Sequence, residues 1–352
     1  MREFGFGIVG CGGISTAHAN AIKSIPNARL IGGVDVVPER AEKLAAEHDC
    51  TAYKTMDELM AQDAVDVVCV CTPSGLHLDP CVAAAKAGKH VVCEKPIEVT
   101  LERADELIKA CDDNGVKLCA IFPLRFSAVA AAIKGAIDAG RLGRVTVGDA
   151  YCKWWRSQEY YDSGDWRGTW EFDGGGACMN QGIHGIDLIQ WFMGPAESVT
   201  AFTNTLVHER IEVEDTAVAA VRYKSGAMGV IECTTSVYPG MERKFEIHGE
   251  KGTIIATDQN LLKWEFAEEQ PEDEELRQRF SPESVAGDQA ASDPLSFGQS
   301  GHEAQIADFI KSLESGGEPT VDGREGRRAI EIITAIYRSA RDGAPVQLPL
   351  KS

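Results

Sequence analysis

The sequence predicts an α/β fold, in which an N-terminal doubly wound parallel sheet is followed by an α+β region with a large, mostly antiparallel sheet. Three observations support this prediction. Short segments rich in Val and Ile alternate with helical patterns up to residue 122, a glycine-rich turn follows the first of them, and longer segments of alternating polarity fill the second half. We therefore expect one domain over residues 1–122 and another over residues 123–352, whose final helix can pack back on the first.

The first half is predicted to form βαβ units with parallel strands. Its strand candidates are Phe4–Val9, Leu30–Asp35, Val65–Cys71, His90–Cys93 and Lys117–Ile121. The helical patterns between them are Ser15–Ile25, Pro38–Glu47, His77–Ala87 and Leu101–Asn114. Pro38 suits the start of a helix and Gly88 the end of one. Cys69 and Cys71 alternate along an apolar run and are expected to be buried in a strand.

After Pro123 the pattern changes to long segments that alternate in polarity, as antiparallel strands do. These segments are Val145–Lys153, Ser198–Leu206, Thr216–Tyr223, Ala227–Thr235, Arg243–His248 and Gly252–Thr257. The dipeptides Ser225-Gly226 and Glu250-Lys251 stand where tight hairpin turns belong. Residues 266–300 are acidic and are expected to form an exposed excursion. Helices are predicted over Ser127–Ala139, Glu303–Ser315 and Arg324–Arg341.

The composition argues against several classes of function. Lys and Arg total 35 and Asp and Glu total 54, so the net charge of -19 disfavours binding to nucleic acid or to an anionic membrane. No apolar run approaches the roughly 20 residues that cross a bilayer, and the N-terminus does not resemble a signal peptide. The 11 cysteines lack metal-binding spacing, which predicts no metal site and a reduced, cytoplasmic protein.

A glycine-rich turn, Gly10-Cys11-Gly12-Gly13-Ile14, follows the first strand and opens the first helix. The first glycine permits a tight turn, and the second lets the backbone approach a pyrophosphate at the helix N-terminus, where N–H groups and the helix dipole favour an anion. In this strand–turn–helix context the turn predicts dinucleotide binding. An ordinary glycine-rich turn without a ligand is the alternative.

Asp35 ends the second predicted strand, about 20 residues after the glycine turn. A carboxylate at this position accepts hydrogen bonds from both ribose hydroxyls and repels a 2′-phosphate. The sequence therefore predicts NAD as cofactor rather than NADP. Arg40 is close enough to attract a phosphate, and a plain turn residue is the other interpretation of Asp35.

Two more polar groups follow the third and fourth parallel strands, at the carboxyl ends where doubly wound sheets bind ligands. The residues assigned to the cofactor on this basis are Thr72, Pro73, Ser74, His77 and Glu94. Lys95 comes directly after Glu94 and is expected to project over the nicotinamide.

These motifs in this order resemble the Gfo/Idh/MocA family of sugar and cyclitol oxidoreductases, over essentially the whole chain. The resemblance continues in the segments Phe122–Phe126, Gly140–Gly143, Asp165–Trp170 and, most specifically, Gly174–Asp187. It implies that Arg125 contributes to the cofactor site. It also implies that Trp166 and Arg167 face the substrate.

The resemblance further implies which residues are catalytic. Lys95 corresponds to the lysine of the family's Glu-Lys-Pro motif, and His184 to a histidine at the start of a helix that backs the substrate pocket. Asn180 stands where the family's inositol dehydrogenases have an aspartate, which disfavours myo-inositol and favours sugars, glycosides or nucleotide-linked sugars. Positions i and i+4 of a helix share a face, so Asn180 and His184 are expected to face one substrate. Asp187 is expected to stabilise a helix N-terminus.

Aromatic residues beside Arg156 and Arg167 fit a carbohydrate pocket, because aromatic faces stack on the C–H face of a sugar ring. They are Tyr151, Trp154, Trp155, Tyr160, Tyr161, Trp166 and Trp170. Packing in the core or at a subunit interface is the alternative for each of them.

The chemistry of these side chains suits the oxidation of a secondary alcohol, which loses a hydride to nicotinamide and a proton to a base. Lys95, partly desolvated, can polarise the oxygen, and His184 can take the proton. We predict an NAD-dependent oxidoreductase of a sugar, glycoside or related polyol, with Asn180 in the catalytic site. Two alternatives stay open: an enzyme that retains NAD and cleaves glycosides through transient oxidation, and a regulator that senses a ligand. By resemblance, a homodimer or homotetramer forms through the large sheet.

Overall fold

The chain forms two compact units in a computed structural model that describes residues 2–283 and 300–350. Of the described residues, unit 1 comprises 2–123 and 300–327, and unit 2 comprises 124–283 and 328–350. The sequence analysis placed the boundary after residue 122 and allowed the final helix to pack back on the first domain; the segment that belongs to unit 1 here is residues 300–327.

Unit 1 contains a six-stranded sheet in which all neighbouring strands are parallel. Its strands are β1 (Phe4–Val9), β2 (Ala28–Val34), β3 (Thr51–Ala52), β4 (Val67–Val70), β5 (His90–Cys93) and β6 (Leu118–Ala120). Its helices are α1 (Ser15–Ser24), α2 (Pro38–His48), α3 (Met56–Met60), α4 (Leu78–Lys86), α5 (Leu101–Asp113) and, from the C-terminal segment, α10 (Ser300–Ser315). The strand order β3-β2-β1-β4-β5-β6 reverses between β1 and β4. The predicted doubly wound parallel sheet is confirmed.

The centre of unit 1 is apolar because helices cover its sheet. Every residue of β1 and β4 is buried, and Cys69 and Cys71 are buried as predicted. Helix α10 adds Ile306 and Phe309 to the same core. Gln305 of that helix accepts a hydrogen bond from the Phe122 N–H at 2.9 Å, so the C-terminal segment also binds the chain just beyond β6.

Unit 2 contains an eight-stranded sheet in the order β13-β12-β11-β7-β10-β9-β8-β14. Its strands are β7 (Val145–Lys153), β8 (Ala196–Asn204), β9 (Thr216–Tyr223), β10 (Met228–Thr234), β11 (Lys244–Gly249), β12 (Gly252–Thr257), β13 (Leu261–Phe266) and β14 (Val346–Gln347). The helices that follow unit 1 in sequence are α6 (Ala128–Asp138), α7 (Gln158–Asp162), α8 (Ile183–Met193) and α9 (Pro271–Arg279), and α11 (Gly323–Asp342) runs across the residue ranges of both units. All neighbouring strands are antiparallel except β7 and β10, which confirms the predicted sheet.

The region predicted as an acidic excursion contains a helix, α9, held by one buried carboxylate. Asp273 accepts hydrogen bonds from the Trp264 indole at 2.6 Å and from the Gln270 N–H at 2.7 Å, and it forms an ion pair with Arg141. Residues 284–299 of the predicted excursion lie outside the described residues. Over the described ranges, no helix combines the length and apolar composition that a bilayer crossing requires.

Candidate active site

The glycine turn in unit 1 joins β1 to α1 and leaves an open concave face. Gly10 has φ +89°, and a Cβ on it would lie 2.8 Å from the Cys71 carbonyl carbon, so only glycine fits there. A Cβ on Gly12 or Gly13 would meet no described atom within 4 Å beyond the chain neighbours. Ile14 directly precedes the first turn of α1. The turn therefore offers its backbone at a helix N-terminus with room for a ligand.

Asp35 follows β2, and its carboxylate stabilises the glycine turn. One carboxylate oxygen accepts a hydrogen bond from the Cys11 N–H at 2.7 Å, and the other accepts one from the Val37 N–H at 2.8 Å. The carboxylate therefore stands at the edge of the glycine turn, where the sequence analysis expected it. Its predicted hydrogen bonds to ribose hydroxyls stay a prediction.

His77 connects the loops after β4 and β5. Its Nδ1 lies 2.8 Å from the Pro96 carbonyl oxygen and its Nε2 lies 2.9 Å from the Thr72 carbonyl oxygen. Thr72, Pro73 and Ser74 form the loop that follows β4, and Ser74 begins a short 3₁₀ turn. Both ring nitrogens of His77 are engaged by the protein, so its observed role is to tie the two loops together, and its contact with the cofactor stays a prediction.

Glu94 is a buried carboxylate at the end of β5, surrounded by two histidines from distant parts of the chain. One oxygen lies 2.8 Å from His18 Nε2 and 3.4 Å from His302 Nε2, and the other accepts a hydrogen bond from the Lys95 N–H at 3.1 Å. Burial alone would raise the pKa of Glu94, but the two imidazoles hold it well below its ordinary value. No local pattern predicted a role for His18 and His302, since they lie 284 positions apart in the sequence.

In unit 2, the segment before α8 is held by Glu214. The Glu214 carboxylate accepts hydrogen bonds from the Gly176 N–H at 2.9 Å, the Cys178 N–H at 2.8 Å and the Tyr337 hydroxyl at 3.0 Å. A Cβ on Gly176 would lie 1.8 Å from the Glu214 carbonyl oxygen, so this close approach requires glycine. The sequence analysis missed Glu214, because no local pattern marks a side chain that satisfies a loop elsewhere in the chain.

Asn180 lies in a π-helical segment, Ala177–Gly182, and its amide is oriented by neighbours. Its Nδ2 donates to Asp173 at 2.6 Å, and its Oδ1 accepts a hydrogen bond from Gln181 at 2.8 Å. Gln181 also donates to the Tyr160 hydroxyl at 2.9 Å and accepts from Arg156 at 3.0 Å. Asn180 is therefore one member of a polar network whose other members the sequence analysis did not connect with it.

Arg167 is held between two aromatic rings near this network. Its guanidinium carbon lies 4.3 Å from the ring centroids of both Trp166 and Tyr160, and its Nη1 donates to the Tyr160 hydroxyl at 2.7 Å. Such stacking fixes a planar cation in one orientation. Of the predicted aromatic cluster, Trp154 and Tyr161 are buried in unit 2, which agrees with core packing, the alternative left open for them.

His184 is the second residue of α8, and it is buried. One turn before it the backbone is π-helical, so the α-helical spacing used to align Asn180 with His184 does not hold through this segment. Asp187 lies in the second turn of α8 and forms a bidentate ion pair with the buried Arg125, at 2.8 and 2.6 Å. The expectation that Asp187 stabilises the helix N-terminus is wrong, because Asp187 lies beyond the first turn of α8, which contains no acidic residue. The cofactor contact of Arg125 stays a prediction.

The predicted site residues thus fall into two sets, each assembled within its own unit. Unit 1 holds an anion-binding turn, a carboxylate beside it and the loop that carries Lys95. Unit 2 holds a buried histidine, an oriented amide and an oriented guanidinium. These are the groups needed to bind a dinucleotide and to bind, orient and deprotonate a polar substrate.

Comparison with known proteins gives a consistent result for both units. Residues 4–122 match the family model described as an oxidoreductase family with an NAD-binding Rossmann fold, and residues 130–255 match the GFO/IDH/MocA C-terminal domain.

Relatives of known structure or name cover nearly the whole chain. The chain is similar to the WlbA dehydrogenase of Bordetella pertussis, solved with NADH and UDP-GlcNAcA, with 40% identity, 99% of each chain covered and a TM-score of 0.91. The Chromobacterium violaceum WlbA structure, with the same two ligands, is 36% identical, covers 100% of this chain and 98% of its own, and has a TM-score of 0.89. Myo-inositol 2-dehydrogenase of Thermotoga maritima is 30% identical over 97% of this chain and 98% of its own. The chain therefore belongs to the Gfo/Idh/MocA family of oxidoreductases.

Proposed function

We propose that the protein is an NAD-dependent dehydrogenase that oxidises a secondary hydroxyl of a nucleotide-linked sugar, with UDP-GlcNAcA as the first substrate to test. The observation that carries this proposal is the 40% identity over 99% of both chains to a WlbA dehydrogenase solved with NADH and that ligand. Asn180 supports the same choice over myo-inositol, since the inositol dehydrogenases of the family have an aspartate at this position.

The residues present fit a dinucleotide. The open face at Gly12 and Gly13 leaves room for a pyrophosphate against backbone N–H groups, and Asp35 stands beside it with a carboxylate that disfavours a 2′-phosphate. We assign the pyrophosphate to the glycine turn and the ribose to Asp35. NAD, when bound, supplies the acceptor for the hydride.

Two side chains assist loss of the hydroxyl proton: one removes it and the other polarises the oxygen. Loss of a hydride from a secondary alcohol makes its hydroxyl proton acidic, and a base must remove that proton. We assign this role to His184, because imidazole titrates near neutrality, and we assign polarisation of the oxygen to the Lys95 ammonium. Lys95→Met is expected to lower kcat about 10²–10⁴-fold, the usual contribution of general acid–base groups, and to leave NAD binding largely intact.

Arg167 is the residue we assign to the anionic part of the substrate. A UDP-sugar with a carboxylate is highly negative, and the protein itself carries a net charge of -19, so binding requires a local cation. Arg167 is already oriented by Trp166 and Tyr160, so little side-chain freedom is lost when it binds an anion. Asn180 is assigned to orienting a sugar hydroxyl.

The test is a comparison of NADH formation from NAD⁺ with UDP-GlcNAcA, UDP-GlcNAc, UDP-glucuronate, free GlcNAc and myo-inositol. We expect the highest kcat/KM with UDP-GlcNAcA, a lower value when either the acetamido or the carboxylate group is absent, and none with the free sugar. A higher kcat/KM with myo-inositol than with any UDP-sugar would overturn the proposed substrate class. Release of free sugar from a glycoside without NADH accumulation would replace it with the redox-neutral alternative.

We further propose that the protein is a homodimer or homotetramer that works in the cytoplasm. Exposed apolar residues on one face of the eight-stranded sheet support association with a second copy. Phe202 and Val218, which are 78% and 43% exposed, are paired across β8 and β9, and Met228, 58% exposed, lies further along on β10. The free state of all eleven cysteines supports a reducing compartment.

A further inference from the structure

We propose that Glu94 is a positioning residue for Lys95, held in place by His18 and His302. The inference rests on the proposed function, in which the Lys95 ammonium polarises the reacting oxygen. It gives a function to three buried side chains, Glu94, His18 and His302, that have no role in the proposed reaction.

The geometry joins the three side chains to the backbone of Lys95. His18 comes from α1, Glu94 from the end of β5 and His302 from α10, and all three are buried. One Glu94 oxygen faces both imidazoles and the other accepts the Lys95 N–H at 3.1 Å. The rings of His18 and His302 meet edge to face with centroids 5.3 Å apart. His18 therefore fixes the carboxylate through a hydrogen bond, and His302 flanks the same oxygen and restricts the His18 ring.

An ionised carboxylate in this position makes a strong anchor. A hydrogen bond to a charged acceptor is roughly twice as strong as a neutral one, so the Lys95 amide is held more firmly than by an ordinary turn. The position of the Lys95 backbone sets the point from which the Lys95 side chain extends. Misplacement of a reacting group by about 1 Å can cost about 10²-fold in rate, so a small relaxation of this anchor should be visible in kcat.

The same three residues have the composition of a metal site, since their ligand atoms lie within 4.8 Å of one another. The distance between His18 and Glu94 favours a shared proton instead. His18 Nε2 lies 2.8 Å from the Glu94 oxygen, which is a hydrogen-bond distance, whereas two tetrahedral ligands about 2 Å from one zinc ion lie about 3.3 Å apart.

Glu98 provides a matched control for substitution of Glu94. It is a second fully buried carboxylate four residues further along the same loop. It accepts hydrogen bonds from the Leu78 N–H at 3.1 Å, from the Val99 N–H at 2.7 Å and from Arg103. Glu94→Gln and Glu98→Gln therefore remove the same charge from similar burial, but only the first disturbs the acceptor of the Lys95 amide.

The experiment measures kcat, KM, the Kd for NAD and the melting temperature of the full-length variants. Both Glu94 oxygens face groups of the protein, so in this proposal Glu94 acts on Lys95 rather than through the cofactor contact expected from the sequence. We expect Glu94→Gln to lower kcat about 10–10²-fold with the Kd for NAD nearly unchanged, and Glu94→Asp to recover part of that loss. Glu98→Gln should lower the melting temperature while kcat stays close to that of the wild type. If Glu94→Gln does not fold, His302→Gln takes its place, with a smaller loss of kcat expected.

A second readout needs no substrate, so that failure of the positioning role and failure of the proposed function can be told apart. The rate at which an amine-acylating reagent modifies Lys95 in the NAD-bound protein is followed by mass spectrometry. We expect this rate to change in Glu94→Gln and not in Glu98→Gln, even if UDP-GlcNAcA proves not to be the substrate. Unchanged Lys95 labelling and kcat in Glu94→Gln would overturn the proposal. Stoichiometric metal in the purified protein, lost on His302→Gln, would overturn it as well.

Discussion

At the scale of single residues, Asp35 serves its own loop as well as the expected cofactor. Its two oxygens accept the N–H groups of Cys11 and Val37, so the carboxylate fixes the glycine turn before any ribose arrives. A substitution at this position therefore changes both the charge offered to a 2′-phosphate and the shape of the turn.

Two substitutions separate these effects. Asp35→Asn removes the charge and keeps an acceptor for one N–H, whereas Asp35→Ala removes both. We expect the ratio of kcat/KM for NADP to that for NAD to rise at least about tenfold in both variants, which corresponds to about 1.4 kcal/mol. The absolute kcat/KM with NAD should fall further in Asp35→Ala. A wild-type preference for NADP would contradict the assignment of Asp35.

The network around Asn180 gives a second prediction at this scale. Asn180→Asp would restore the aspartate of the inositol dehydrogenases, but the new carboxylate would replace an amide that donates to Asp173 at 2.6 Å. Two carboxylates at that distance cannot both ionise, so the variant should lose stability and activity. The double variant Asp173→Asn, Asn180→Asp restores one donor and one charge, and it should recover much of the melting temperature. Equal melting temperatures for the single and double variants would mean that this contact is unimportant.

The sequence indicates some site residues and hides others for a physical reason. Lys95 and Asp35 follow strands that are recognisable from their own apolar patterns, so their place at the sheet edge can be predicted. His18 and His302 meet only because α1 and α10 pack together, and Glu214 reaches its loop across many residues. Such partners depend on tertiary packing, which local periodicity does not encode.

At the scale of elements, α9 is an acidic helix that is held in place by one buried side chain, Asp273. Its first turn contains Glu272, Asp273 and Glu274, and only Asp273 is buried. The surrounding residues lack an apolar face, so no apolar period marks this helix in the sequence. The π-helical segment before α8 escaped prediction similarly, because short non-α segments leave no distinct pattern.

Removal of the Asp273 charge should destabilise this element. Asp273→Asn breaks a buried pair with Arg141, for which a loss of about 3 kcal/mol or more in the free energy of unfolding is expected. Glu272→Gln, one residue away and exposed, should change it by less than about 0.5 kcal/mol. Urea unfolding of the three proteins measures the difference, and equal losses in the two variants would contradict the anchor.

The same pair predicts a pH dependence. Its hydrogen bond from Arg141 lowers the pKa of Asp273, although burial opposes this. A carboxyl group with a lowered folded-state pKa stabilises the protein above its unfolded pKa of about 3.9, and that contribution is lost as the pH falls. The stability difference between wild type and Asp273→Asn should therefore be constant near neutrality and shrink below about pH 4.

At the scale of the whole molecule, the exposed apolar patch of the large sheet predicts association. Phe202→Glu introduces a charge opposite Val218 and should convert an oligomer into a monomer of 38.0 kDa, as measured by light scattering. Tyr238→Glu is the matched control, since Tyr238 is equally exposed at 78% but lies outside the strands. A wild type that is already monomeric, or dissociation in both variants, would contradict an interface at this patch.

The return of residues 300–327 to unit 1 has a consequence for synthesis. A ribosome that has finished β6 must still make residues 124–297 before α10 exists, which takes on the order of ten to thirty seconds at about 5–20 residues per second. During that interval the surface later covered by Ile306 and Phe309 is exposed on the nascent chain. Unit 1 thus begins to emerge first and its core is completed among the last, so this surface is where a nascent-chain chaperone would bind.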